Sequence, residues 1–316
     1  MSARDHQRTL KTKVEISGVG LHSGLEIRLV LYPAGENSGI RFRRSDLPSS
    51  PEIPAHFENV VSTQMATVLG IGEIRISTVE HLLAALSGLG IDNLLIEVSG
   101  PEIPILDGSA LPFVEAIQKA GVLRQRARRR KLVLRKKVQV KIQEKWATVE
   151  PSSRLEIFGS IEWDHPSIGY QEYHYVEGQD SFEKLALART FGFMKDVEAL
   201  QKKGLVKGGS LESAVVLDHA LVLNPEGLRT PDEFARHKVL DALGDFVLSG
   251  FAIQGYFRLH RAGHDVHRLI LAEIFKNPDN YEIVSDSAAE SPTLGERASS
   301  LLGMTSGPST LAPDAA

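Results

Sequence analysis

STVEHLLAALSGLGIDNLLIEV, Ser77 to Val98, changes its period in mid-course. As far as Leu89 its apolar residues recur at helical spacing, behind a Ser or Thr able to cap and a Glu in the first turn, and a Gly-rich exit closes it. Asn93 to Val98 is then a short apolar run of strand length, which reads as a buried strand. Upstream, LEIRLVLYP (Leu25 to Pro33) and GIRFRR (Gly39 to Arg44) alternate with the period of half-buried strands. Downstream, SALPFVEAIQKAG reads as a helix capped by Ser109 and closed by Gly121.

The second half repeats this order loosely. KVQVKI, WATVEP and LEIFGSIEW read as strands, followed by a helix from Pro231 to about Ser249, a strand GYFRLH, and a last helix from about Asp265 to Phe275. EHLLAAL and RHKVLDAL each set a His early in an apolar helix. The expectation is an α+β protein of two similar domains, residues 1–126 and 127–284, each a sheet layered with helices, with the active site between them. Residues 285–316, rich in Ser, Ala, Gly and Pro, are expected to be a disordered tail, because they cannot offset ordering entropy by burial.

With 316 residues, 42% of them hydrophobic, the chain can bury cores for two such domains. No run nears the roughly 18 apolar residues of a membrane span, and the first residues are polar, so cytoplasmic residence is expected. There is no cysteine, which excludes disulfides, thiolate metal sites and a cysteine nucleophile. Any transition-metal site must therefore use His, Asp or Glu. RQRARRRKLVLRKK packs nine basic residues between Arg124 and Lys137. Without interleaved aromatics or a nucleic-acid motif it reads as a solvated interdomain linker rather than a nucleic-acid patch, with transient contact to an anionic inner-membrane surface as the alternative.

Three segments carry candidate chemistry. EFARHKVLDALGD places His237, Asp241 and Asp245 at i, i+4 and i+8, on one face of a helix where Leu or Ala would be expected. Such a stripe is costly to bury unless a cation compensates it, although a solvent-facing helix carrying a His–Asp pair fits the same spacing. STVEHLLAAL sets Glu80 beside His81; a capping Glu and a packed core His explain it equally, and it is not an H-E-x-x-H motif. RAGHDVH sets His264 after a Gly at a strand-to-helix turn, where a cap role is also open. Together they make an open metal site: His81, His237 and Asp241 as ligands, a fourth position for water, Glu80 to take that water's proton, and His264 to protonate a leaving amine.

In this order SGVGLHSG (Ser17 to Gly24), STVEHLLAALSGLGIDN, PEIPILDGSA (Pro101 to Ala110), ARTFGFM (Ala188 to Met194), VLNPEGLR (Val222 to Arg229), EFARHKVLDALGD and AGH at His264 closely resemble the UDP-3-O-acyl-N-acetylglucosamine deacetylases. These are zinc hydrolases committed to lipid A synthesis. The resemblance runs from about Thr9 to Phe275 and implies Zn2+ on His81, His237 and Asp241, with Glu80 as base and His264 as acid. It further implies that Asp245 orients His264 and that Thr190 steadies the oxyanion. The substrate would be a UDP-linked acylated amino sugar. Trp163 would stack on uracil and Lys145, Lys238 and Arg261 would face the diphosphate, Arg261 standing where a Lys is expected. The acyl chain would run along an insert at 191–209, FGFMKDVEALQKKGLVKGG, through Phe191, Phe193, Met194, Val197 and Leu200, residues that ordinary core packing would also explain. Met65 would contact substrate from STQMAT (Ser62 to Thr67), a loop that departs from the family at Gln64 and Ala66. His22 has a turn-stabilising role or a substrate contact open to it, and Asp107 is expected to shape a turn. The chain is expected to act as a monomer.

Overall fold

Strand Leu94–Val98, the second half of the opening stretch, is the centre of a five-stranded sheet. Its order is Val14–Val19, Glu26–Pro33, Leu94–Val98, Ile40–Arg44 and Ile53–Pro54. Leu94–Val98 pairs antiparallel with Glu26–Pro33 and parallel with Ile40–Arg44, so both its edges are covered and its alternate residues are buried. The computed structural model describes residues 5–285; the tail lies outside the described residues, except that Ser285 ends a strand.

The helices, in chain order, are α1 (Glu80–Leu89), α2 (Leu111–Ala120), α3 (Phe182–Ala186), α4 (Met194–Lys202), α5 (Glu233–Phe246) and α6 (His264–Lys276). A second, seven-stranded mixed sheet gathers strands from Arg130 onward around Ala252–His260. That strand pairs antiparallel with Lys145–Glu150 and parallel with both Leu155–Trp163 and Arg130–Leu134. The protein is thus α+β, as the sequence implies. A further strand, Tyr281–Ser285, closes the sheet against Arg130–Leu134, and a three-stranded meander spans residues 60–76. The meander escapes the sequence reading because its strands, of three or four residues, are too short for a clear period. No described helix is long and apolar enough to cross a membrane.

Three expectations change, the first being that the N-cap position of α2 is Ala110, not Ser109, and carries no side-chain cap. Neither Ser77 nor Thr78 caps α1, whose N-cap position is Val79 and carries no side-chain cap. The Thr78 hydroxyl is drawn instead to Glu102, 3.0 Å away, and Thr78 adopts a left-handed backbone with φ 58. Such a conformation costs a β-branched residue about 1–3 kcal/mol and persists only where its surroundings fix it. The basic run, moreover, is no free linker. It forms most of strands Val122–Arg128 and Arg130–Leu134, the first paired with His6–Leu10. Several of its charges are matched individually: Arg129 by Asp92 at 2.6 Å, Lys136 by Asp279 at 3.0 Å, Lys137 by Glu150 at 2.8 Å, and Arg135 by Glu282. Alternate residues of these strands also pack inward, as Leu132 and Leu134 do, which a flexible linker would not need.

α1 and α5 pack together between the sheets, in a core that includes Leu82, Leu86, Val239, Leu243, Phe246 and Phe257. Gly244 permits their approach: a Cβ there would fall 2.0 Å from the carbonyl oxygen of Glu80. A smaller cluster, Ile161, Val215, Leu217 and Phe234, supports Trp163, Phe191 and Phe193.

Candidate metal centre and active site

The close passage at Gly244 sets the first turn of α1 against the stripe on α5. His81 from α1 and His237 from α5 meet with ring centroids 4.9 Å apart and planes at 80°. Their Nε2 atoms lie 3.5 and 3.3 Å from Oδ1 of Asp241. All three side chains are buried, and that Oδ1 has no hydrogen-bond partner. Because a carbonyl can only accept, the 3.1 Å contact between His237 Nδ1 and the Ala188 oxygen fixes the proton on Nδ1 and leaves Nε2 as a bare lone pair. Lys238 Nζ donates to the other Asp241 oxygen at 2.9 Å.

Two imidazole nitrogens, that of His237 held as a lone pair, converging on an unpartnered carboxylate oxygen suit a divalent cation. Burial would raise the Asp241 carboxyl, but His237 and Lys238 outweigh it and hold the group well below the ordinary carboxylate range. Burial pushes His237 down to about 3, so it stands neutral, the form a ligand needs.

One turn beyond Asp241, Asp245 is the hub of a second buried cluster. Its Oδ2 accepts from His264 Nδ1 at 2.7 Å and His267 Nδ1 at 2.8 Å, and its Oδ1 from the Thr67 hydroxyl at 2.6 Å. Burial would raise Asp245, yet the two imidazoles hold it far below its usual value. For His264 burial would favour the neutral ring, but the carboxylates of Asp245 and Glu80 overcome this and raise it to about 10. Glu80 is raised by burial, partly offset by His264 and His81. Its Oε1 lies 3.9 Å from His264 Nε2, and its Oε2 accepts from the Thr67 N–H at 3.1 Å. A carboxylate with a raised affinity for protons thus faces an imidazole held in its protonated, donor-capable form.

Thr67 and His267 were missed in the sequence. Thr67 ends the STQMAT loop and binds both Glu80 and Asp245. His267 lies three residues after His264 on α6, a spacing that places both on one face. Met65, from the same loop as Thr67, is half exposed with φ 66 and joins neither cluster.

Thr190 lies between Ala188, whose carbonyl holds His237, and Phe191, whose ring centroid is 6.4 Å from that of His237. The segment is anchored by the buried pair of Arg189 and Glu233, 2.9 Å apart, which ties it to the first turn of α5. Phe191 also meets Trp163 edge-on at 5.4 Å, and Lys238 Nζ stands 5.5 Å from its ring centre. Trp163, Lys145 and Arg261 line one cleft of about 260 Å³ with Gln143, Glu144 and Glu162. Lys145 pairs there with Asp265 at 3.1 Å, while Lys238 stands apart, at the metal cluster. Phe193 is half-buried against His165. α4 has no buried residue, and Met194 is 47% exposed, so core packing does not account for the apolar residues of α4, whereas Phe191 and Phe193 do pack against the smaller core cluster.

An α+β scaffold that converges two His and an Asp able to hold a metal ion, beside a facing glutamate and histidine, fits an amide hydrolase. The chain belongs to the UDP-3-O-acyl N-acetylglycosamine deacetylase family, whose model matches residues 7–276. It is 46% identical to the UDP-3-O-acyl-N-acetylglucosamine deacetylase of Myxococcus xanthus, over 94% of this chain and 95% of the relative. The enzymes of the same name from Teredinibacter turnerae and Psychrobacter arcticus are each 45% identical, covering 88% and 89% of this chain and 93% and 88% of the relatives.

Proposed function

We propose that the chain removes the N-acetyl group of UDP-3-O-acyl-N-acetylglucosamine, giving the free amine and acetate, as a zinc hydrolase of lipid A biosynthesis. The observation that carries the reading is the unpartnered Oδ1 of Asp241 beside two imidazole nitrogens, next to the facing pair of Glu80 and His264. Bound to His81, His237 and Asp241, Zn2+ would supply Lewis-acid polarisation of the acetamide carbonyl and acidify water.

The chain's own residues do the rest. Glu80 takes the proton of the attacking water, its raised pKa making it a stronger base than an exposed Glu. His264, held as imidazolium by Asp245, delivers a proton from Nε2 to the departing nitrogen. The Thr190 hydroxyl donates to the developing oxyanion. Trp163, Lys145 and Arg261 receive the uridine diphosphate in their shared cleft, and Lys238, paired with Asp241, adds a further cation facing the diphosphate. The acyl chain lies along Phe191, Phe193 and the exposed apolar side of α4, with Met65 as a further contact. This reading includes cytoplasmic residence, a monomeric state, and two halves divided at 126/127. The division is supported by the sheet order, since the five-stranded sheet draws only on residues 14–98 and the seven-stranded sheet only on 130–285.

Acetate release from the UDP-linked acylated sugar, measured with metal content on one purified sample, tests the proposal. Zinc-loaded protein without turnover would overturn the substrate assignment.

A further inference from the structure

PEIPILDGSA carries a carboxylate that the chemistry above does not use. Glu102 is 1% exposed, and no ion pair to it is found among the described residues; three neutral donors satisfy it instead. Its Oε1 accepts from the His22 N–H at 2.9 Å and the Thr78 hydroxyl at 3.0 Å, and its Oε2 from the Ser23 N–H at 2.9 Å. A buried charge held only by N–H and O–H dipoles is costly to remove from water, and it repays that cost by fixing the geometry of its donors.

The donors belong to two segments distant in sequence. Thr78, left-handed at φ 58, makes the turn from which the chain enters α1, two residues before Glu80 and three before His81. The backbone just before it is pinned as well, with Ser77 N donating to the Pro101 oxygen at 2.9 Å and Ile103 N to the Ser77 oxygen at 3.0 Å. The other segment is the loop Gly20–Gly24. Here the carboxylate comes so near that a Cβ on Gly20 would stand 2.5 Å from Oε2. This loop also touches the end of the 191–209 insert, through Gly208 N to the Leu21 oxygen at 3.0 Å and Lys207 N to the His22 oxygen at 3.3 Å.

We infer that Glu102 is a positioning residue for the deacetylation: by gripping the Thr78 hydroxyl it holds the strained turn that aims Glu80 and His81. The inference rests on the reading of Glu80 as the base. A group that supports an acting residue through such bonds is worth about 10–100-fold when lost. In Glu102→Gln the new NH2 must oppose a main-chain N–H, on Ser23 or on His22, and that clash displaces the amide and loosens its hold on the Thr78 hydroxyl with little change in volume.

The test compares kcat, KM and metal content of the zinc-loaded full chain for Glu102→Gln, Thr78→Ala, Thr78→Ser and the double variant Glu102→Gln with Thr78→Ala. Expected are kcat losses of about 10–100-fold in Glu102→Gln and Thr78→Ala. KM should change little, zinc should be retained, and Thr78→Ser, which keeps the hydroxyl, should recover most of the rate. The double variant should be no worse than Glu102→Gln, since both remove one interaction. Near wild-type kcat in Thr78→Ala, or losses that multiply in the double variant, would overturn the inference. If Glu102→Gln does not fold, Thr78→Ala against Thr78→Ser decides. Crystal structures of the wild type and Thr78→Ala test the same point without turnover, because the Glu80 carboxylate should leave the Thr67 N–H in the variant. A wild type inactive on the sugar substrate would count against the proposed substrate, whereas an unmoved Glu80 in the variant would count against the inference.

Discussion

Nδ1 of His264 lies 2.7 Å from Oδ2 of Asp245, and the same oxygen takes a second imidazole, His267, at 2.8 Å. One carboxylate therefore keeps a buried ring charged, although burial alone would discharge it. In solution a histidine loses its proton near pH 6.5, whereas His264 is raised to about 10.

Replacing Asp245 by Asn should move the alkaline limb of kcat/KM to lower pH. The direction follows from the sign of the shift: the carboxylate raises His264, so its loss lets the acid deprotonate earlier. A bound metal ion lowers His264 in both proteins and leaves that direction unchanged. The pH–rate profiles of the two proteins check it, and coincident alkaline limbs would refute it.

The same pair makes stability depend on pH. A folded-state pKa above the unfolded value contributes stability that is complete below about 6.5 and is lost as pH rises through about 10. Thermal melts across that window should show the wild type losing more stability than Asp245→Asn. Parallel losses would mean that the pair is not linked to folding.

His264→Ala should retain zinc and lose about 100- to 10,000-fold in turnover, the range for a positioned acid. Metal analysis alongside the deacetylation rate checks both halves of the statement. Near wild-type turnover would mean that another group donates the proton.

Asp241→Ala should lose metal to a chelator under dialysis that leaves the wild type loaded. Removing a ligand should cost at least the roughly tenfold seen for weaker supporting contacts. Unchanged metal content would contradict the ligand set.

Gly244→Ala should be destabilised by about 1–3 kcal/mol, as overpacked cores are. The added methyl would strike the Glu80 carbonyl 2.0 Å away and push α1 from α5. Denaturant melts measure the first effect. A fall in kcat larger than the loss of folded protein would report the second.

The long elements were legible because burial imposes a period. Leu155–Trp163 matches its sequence boundaries, and α5 lies within the helix expected from Pro231 to Ser249. The stripe His237, Asp241, Asp245 was legible because three polar groups broke an apolar face. Thr67 was not, since a threonine in a loop has no pattern to break, and its role appears only when α5 and the meander meet. The basic run misled for a related reason. Its charge is obvious in sequence, but the partners that cancel it, such as Asp92 and Asp279, lie far away in the chain. The capping reading of Ser77 and Thr78 failed because Glu102 competes for the Thr78 hydroxyl.

At Gly244 the atoms that limit the approach of α1 to α5 belong to the main chain, the Glu80 carbonyl and the Ala84 nitrogen. No rotamer can absorb an error there, and no neighbouring side chain can be trimmed to make room. Sequence drift elsewhere in the helices can be met by repacking, but at this position it moves α1, with Glu80 and His81, away from α5. A residue with no side chain thus governs how Glu80 and His81 stand against His237 and Asp241.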